Sequence, residues 1–187
     1  KDTWNYLTGT AGFSKEDAAA IMGNFQLESG MDPKKVEGGG EAANITVGGP
    51  GYGLAQWTSQ SRQQNLADYA ASQNKPSGDL GVQLEFFNKE AHDNYSGAIS
   101  SMNAASSIAD KTESWMTNYE APDPSTAHLS DRQKSAQDFF NAYSGGSGGA
   151  GFGGSGTPTI ADLTQQYNLQ YDEYGNLKGY KGDESLL

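Results

Sequence analysis

The chain has 187 residues, enough for one ordinary domain core plus an appendage, and its 12 basic against 23 acidic side chains leave a net charge of −11. Such a charge repels a phosphate backbone and gains nothing from counterion release, which argues against nucleic acid as a partner. The absence of cysteine excludes disulfides and thiolate chemistry, and no apolar run nears the roughly 20 residues of a membrane span, so no membrane insertion is expected.

In chain order, Ser14 followed by Asp17 reads as an N-cap with an acidic residue three positions on, close to a capping box. Ala18, Ile21, Met22 and Phe25 then share one helical face, and Gly30 and Pro33 supply a stop, which predicts a helix over about residues 15–29. Glycines, Asn44 and Pro50 break any helix between Gly38 and Gly53, where Ile45–Val47 is expected to form a strand or hairpin arm. After Ser59 two amphipathic helices are predicted, one through Leu66, Tyr69 and Ala70, the next through Leu80, Leu84, Phe87 and Ala91. A further helix carries Ile108, Trp115 and Tyr119 and must end at Pro122 and Pro124; a last one carries Leu129, Ala136, Phe139, Phe140 and Tyr143.

The expected architecture is therefore a mostly α (α+β) domain over 1–143 with a small loop or β segment. A Gly/Ser-rich linker should follow over 144–158, where too little apolar surface exists to offset ordering entropy. Residues 159–187 form a tail whose Leu163, Tyr167, Leu169, Tyr171, Tyr174 and Tyr180 suit contact with a partner chain or the start of a further domain. The start at Lys1, with neither initiator methionine nor signal-type segment, suits a fragment or processed product.

The anomaly in this pattern is Glu28, which extends the Ala18, Ile21, Met22, Phe25 stripe by the same spacing and so puts a carboxyl where an apolar residue is expected. Sheltered from water, a carboxyl there is expected to keep a proton, which is what protonating a glycosidic oxygen requires; the alternative is a helix end in plain solvent. The run Ala20-Ile21-Met22-Gly23-Asn24-Phe25-Gln26-Leu27-Glu28-Ser29-Gly30, followed by Gly51-Tyr52-Gly53-Leu54-Ala55-Gln56-Trp57-Thr58, closely resembles the phage tail lysozyme family, within the wider lysozyme and lytic transglycosylase fold. Asn118-Tyr119-Glu120-Ala121-Pro122, with Arg132 downstream, is similar to a third segment of that family, and the resemblance spans about residues 3–143.

By that resemblance Glu28 is the catalytic acid, acting on the β-1,4 bond between N-acetylmuramic acid and N-acetylglucosamine in peptidoglycan, as a hydrolase or a lytic transglycosylase. The resemblance further implies that Leu54, Gln56 and Trp57, with Tyr52 beside them, contact glycan. A tryptophan face covers a sugar ring and a glutamine amide both donates and accepts, although a core role for Trp57 is the other possibility. Candidates for a second carboxylate are Glu41 and Glu37 in the intervening loop, where solvated loop charges are the blander reading; transglycosylases manage with one acid.

Arg132 falls on the apolar face of its predicted helix, where a lone guanidinium is costly, so a structural Glu120–Arg132 pair is expected. His92 and His128 are solitary, and no metal-ligand or calcium-loop spacing is present, so neither a metal nor a cofactor is expected. The family setting implies a virion: a tail-tip, tail-knob or tape-measure protein, held among other tail proteins, opening the wall locally for genome passage. An acidic net charge would not carry a free enzyme to an anionic wall, which suits delivery by an assembly. The rivals are a structural or glycan-binding tail component with little catalysis, and a fragment of a cellular autolysin.

Overall fold

The computed structural model describes residues 1–122 and 127–145, and the backbone of 169–171 and 177–180. The first unit, Lys1–Ser144, is helical: α1 (Asp2–Asn5) running into a π-helical turn (Tyr6–Thr10), α2 (Lys15–Ser29), α3 (Gln60–Ser72), α4 (Leu80–Asn94), α5 (Ser96–Ala104), α6 (Ile108–Trp115) with a second π-helical turn (Met116–Glu120), and α7 (Leu129–Tyr143). The mostly α, lysozyme-like class expected from the sequence is what the chain adopts.

Helix α2 is the axis of the unit. Its start is set by Ser14, whose Oγ accepts the Asp17 N–H at 3.0 Å, and its end by Gly30 in the left-handed region at φ 65°. The run Ala18 to Phe25 is buried on every side, which a single apolar stripe does not require; α7, α6 and α1 surround it. Small residues make this possible. A Cβ on Gly23 would stand 2.6 Å from the Arg132 carbonyl oxygen and 2.7 Å from the Ala136 Cβ, so only glycine lets α7 lie this close. Beneath α6, Phe87 meets Phe25, Trp115 and Tyr119 edge-on at 5.0 to 5.7 Å, and Trp115 stacks on Tyr119.

The segment between α2 and α3 carries the small β element, but not where the β-branched run predicts it. The bridges are Lys35 with Glu41, Val36 with Tyr52, and Tyr52 with Trp57. Ile45 instead gives its N–H to Ser77 Oγ at 2.7 Å, so a side chain takes the donor that a strand would have used. Two buried glutamines hold the segment: Gln63 Nε2 donates to the Pro50 and Trp57 carbonyls, and Gln83 accepts the Leu54 N–H while donating to the Pro33 and Ser77 carbonyls.

Two helices were not legible in the hydrophobic pattern, α1 and α5. In the second unit, Gly145–Leu187, β1 (Leu169–Tyr171) pairs antiparallel with β2 (Leu177–Tyr180), Leu169 facing Tyr180. The linker expected over 144–158 lies, beyond Gly145, outside the described residues, as does the tail expected over 159–187 apart from the backbone of these two strands.

Candidate active site

Helix α2 presents Asn24 and Glu28, one turn apart on a single face, to Arg132 of α7. The guanidinium donates from Nη2 to Glu28 Oε1 at 2.7 Å, from Nη1 to Asn24 Oδ1 at 3.0 Å and from Nε to the Ala127 carbonyl at 2.7 Å. Asn24 is itself fixed, giving its amide to the Ala20 and Thr112 carbonyls. The Arg132 side chain is 4 % exposed and that of Glu28 18 %, so the carboxyl stands at a sheltered edge with a window to solvent. It is sheltered, but it has a cationic partner that the apolar stripe alone does not foretell.

Next to Glu28, Ser29 Oγ donates to the Leu54 carbonyl at 3.1 Å, which ties the Gly51–Thr58 loop to the same end of α2. Within that loop the expected glycan contacts divide. Trp57 is 0 % exposed and Leu54 and Tyr52 are buried with it, so their side chains are core and not sugar platforms. Two of them also have a polar reason to point inward: the Trp57 Nε1–H finds Glu90 Oε2 at 3.0 Å, and the Tyr52 hydroxyl donates to the Ala42 carbonyl at 2.8 Å. Gln56 alone of the four keeps partial exposure. Its backbone sits at φ 44°, a left-handed conformation that costs a non-glycine residue about 1 kcal/mol, and its Nε2 donates to the Gly53 carbonyl at 2.9 Å, leaving Oε1 as an acceptor.

The second-carboxylate candidates lie in the segment between α2 and α3. Glu37 and Glu41 are both exposed; Glu37 Oε2 accepts the Gly51 N–H at 2.9 Å and so braces the loop, and Glu41 contributes backbone bridging to Lys35.

The Glu120–Arg132 pair is corrected by the structure: the guanidinium is taken by Glu28, and Glu120 Oε1 is buried with no hydrogen-bond partner. The absence of a side chain at Gly23 lets α7 stand close to α2, and Arg132 reaches Glu28 across that approach.

A second buried ion pair escaped the sequence reading. Arg62 of α3 grips Glu90 of α4 with Nε and Nη2, both at 2.8 Å, and its guanidinium lies over the Tyr119 ring at 4.9 Å and the Tyr95 ring at 5.2 Å. Glu90 Oε2 also accepts the Tyr119 hydroxyl at 2.6 Å. Burial pushes the Glu90 carboxyl up, but the Arg62 hydrogen bonds and charge, with the Tyr119 and Trp57 donors, outweigh it and hold the carboxyl below its usual range. Burial likewise pushes the Tyr119 hydroxyl well above its usual range, so it remains a donor. The signal was available: Glu90 follows Phe87 by three and Arg62 precedes Leu66 by four, charges at apolar spacing like Glu28 and Arg132.

His92 and His128 are exposed. Among the described residues no group of three or more His, Cys, Asp or Glu is placed to hold a metal ion, and no helix is long and apolar enough to cross a membrane. No curated protein matches the chain. The site is an acid closing a buried helix, beside a Gly-rich loop that ends in Gln56-Trp57. The model of the phage tail lysozyme family matches residues 1–143, most of the chain, and the chain belongs to that family.

Proposed function

We propose that this protein breaks the β-1,4 bond between N-acetylmuramic acid and N-acetylglucosamine, with Glu28 delivering the proton to the bridging oxygen. Family membership carries the coarser statement, a lysozyme-like role on peptidoglycan in the setting of a phage tail. The finer reading rests on one observation: Glu28 stands at a sheltered edge of the fold, anchored by Arg132, where Ser29 brings the Gln56 loop to the same helix end.

In this reading the glycan lies across the end of α2, and Gln56 Oε1 accepts from a sugar hydroxyl or N-acetyl N–H. Protonation by Glu28 lets the glycosidic bond break toward an oxocarbenium-like state. Water then attacks if the enzyme is a hydrolase, or the sugar's own 6-hydroxyl if it is a transglycosylase; in either case the attacking hydroxyl returns a proton to Glu28. In the virion, a tail-tip, tail-knob or tape-measure protein held by other tail proteins would present this domain to the wall, opening it for genome entry. The net charge of −11 suits delivery by such an assembly over capture from solution by an anionic wall.

The test is incubation of the purified protein with peptidoglycan and mass analysis of the products. Reducing ends identify a hydrolase and anhydro-muropeptides a transglycosylase. Glu28→Gln should lower release by about 10²- to 10⁴-fold while helical circular dichroism is unchanged. Wild-type release by that variant would remove Glu28 from the role, and binding without products would favour a glycan-binding tail component.

A further inference from the structure

Three carboxyls and two guanidiniums are gathered where α2, α3, α4, α7 and the Met116–Glu120 turn converge. Arg62 is committed to Glu90 through two 2.8 Å bonds and Arg132 to Glu28 through one of 2.7 Å, so the charges of Glu28 and Glu90 are matched. Glu120 is the surplus. Its Oε1 is buried without a hydrogen-bond partner, a state that costs an ionised carboxylate several kcal/mol and a neutral acid far less.

Backbone geometry adds to this. Glu120 ends a helical run, where the peptide dipoles present partial negative charge to a carboxyl. It is held there by the π-type bond from the Ala121 N–H to the Met116 carbonyl at 2.7 Å and by Ala121 at φ 47°. Every charged neighbour acts on it: burial first and the Glu28 charge second push its carboxyl well above the usual range, Arg62 and Arg132 pull it down by less, and Glu90 pushes it up again. Tyr119, beside it in the chain, has its hydroxyl on Glu90.

We infer that Glu120 is the proton store of this site, a neutral carboxylic acid from which Glu28 draws the proton it delivers to the glycan. The inference rests on the reading of Glu28 as the donor. In the step, the Glu120 O–H bond breaks and a Glu28 O–H bond forms, directly or through a bridging water, while the negative charge moves to Glu120 beside the same guanidinium, Arg132. Glu28 then passes the proton to the bridging oxygen as the glycosidic bond breaks, and the pair recovers one proton from the attacking hydroxyl. Glu120 acts through Glu28 and is a positioning residue.

The test compares kcat and KM on peptidoglycan across pH for the full chain, Glu120→Gln and Glu28→Gln, with an infrared measurement of the protonated carboxyl band at neutral pH. Glu120→Gln keeps the shape of the neutral acid but cannot release its proton. Its kcat at neutral pH should fall by about 10²-fold with KM unchanged, and the alkaline limb of its profile should move down by about one pH unit or more, so that acid restores much of the rate. The wild-type carboxyl band should be present and Glu120→Gln should remove it. A loss equal at every pH, or a wild-type profile in Glu120→Gln while Glu28→Gln is inactive, would overturn the store and leave the Glu28 reading standing. Activity in Glu28→Gln would overturn both, and if Glu120→Gln does not fold, a wild-type protein without the band overturns the store alone.

Discussion

Replacing Gly23 with alanine should loosen the site without changing any side chain in it. The added Cβ would meet the Arg132 carbonyl oxygen at 2.6 Å, the Ala136 Cβ at 2.7 Å and the Ala136 nitrogen at 2.8 Å. Ordinary contacts lie about 3.5–4.0 Å apart, and two of the three obstructing atoms are backbone, which no rotamer change can move aside; α7 must withdraw by about 1 Å. Overpacking of this kind costs about 3 kcal/mol, and the better helix propensity of alanine returns about 1, leaving a net loss of about 2 kcal/mol. For a unit of this size that is about 6 °C in Tm. The same withdrawal stretches the 2.7 Å bond between Arg132 and Glu28 to about 3.7 Å, outside hydrogen-bonding range, and misplacement by about 1 Å lowers turnover by up to about 10²-fold. Thermal unfolding and product release from peptidoglycan, measured on the same preparation, check both halves. A Gly23→Ala protein as stable as the wild type, with unchanged turnover, would show that the α2–α7 approach does not set the position of Glu28.

Trp57→Phe should cost about 2 kcal/mol in denaturant unfolding, through a cavity and the donor lost to Glu90, while KM for glycan stays unchanged; a raised KM with unchanged stability would restore Trp57 as a sugar contact. Gln56→Gly should lower turnover yet keep or raise stability by up to about 1 kcal/mol, because glycine adopts φ 44° freely; this is read from unfolding curves beside the product assay. Stability should also depend on pH in two opposite ways. The native protein holds the Glu120 proton above the ordinary 4.5 at which the unfolded chain releases it, so that contribution is complete below 4.5 and is lost as pH rises toward the elevated native value; Glu120→Gln should remove up to about 1.4 kcal/mol per pH unit of this slope. Glu90 is the reverse, its contribution present above 4.5 and lost as pH falls through its lowered value, so Glu90→Gln should flatten the acid side of the urea midpoint against pH.

Local chemistry was readable in the sequence, and partner choice was not. Helix α2 begins and ends where Ser14 and Gly30 predict because both caps act within a few residues of themselves. Helix α5 left no usable stripe, its buried residues being Ala98 and Met102 in a run of small and polar side chains, and α1 is only four residues before its π turn. The Ile45–Val47 run has β-type side chains, but a serine 32 positions away takes the Ile45 N–H. Trp57 reads locally as an aromatic in a glycan motif; what draws it inward is Glu90, 33 positions on, whose carboxylate receives the indole N–H. Arg132 lies on a buried face of its helix as its spacing predicts, but its ion pair is with Glu28, 104 positions before it on α2, which spacing within its own helix does not foretell.

The π turn over Met116–Glu120 links the two ion pairs. Tyr119 and Glu120 are neighbours in sequence, about 100° apart around a helix, and one must serve the Arg62–Glu90 pair while the other stands by Glu28 and Arg132. An ordinary α turn would bond the Ala121 N–H to Thr117; here the bond reaches Met116 at 2.7 Å, which takes up one extra residue and rotates the end of the helix relative to α6. Trp115 stacked on Tyr119 at 4.6 Å, with the Arg62 guanidinium over the Tyr119 ring, fixes the first of the two residues. At the end of the turn Ala121 stands directly before Pro122, where the right-handed helical conformation is disfavoured, and it goes to φ 47° at a cost of about 1 kcal/mol. A strained residue, a π turn and a half-buried carboxyl with one buried, unpartnered oxygen thus occupy adjacent positions. Stability alone would favour an ordinary turn with an apolar side chain at 120, and the observed arrangement holds instead a carboxyl that burial and the Glu28 charge push well above its usual range.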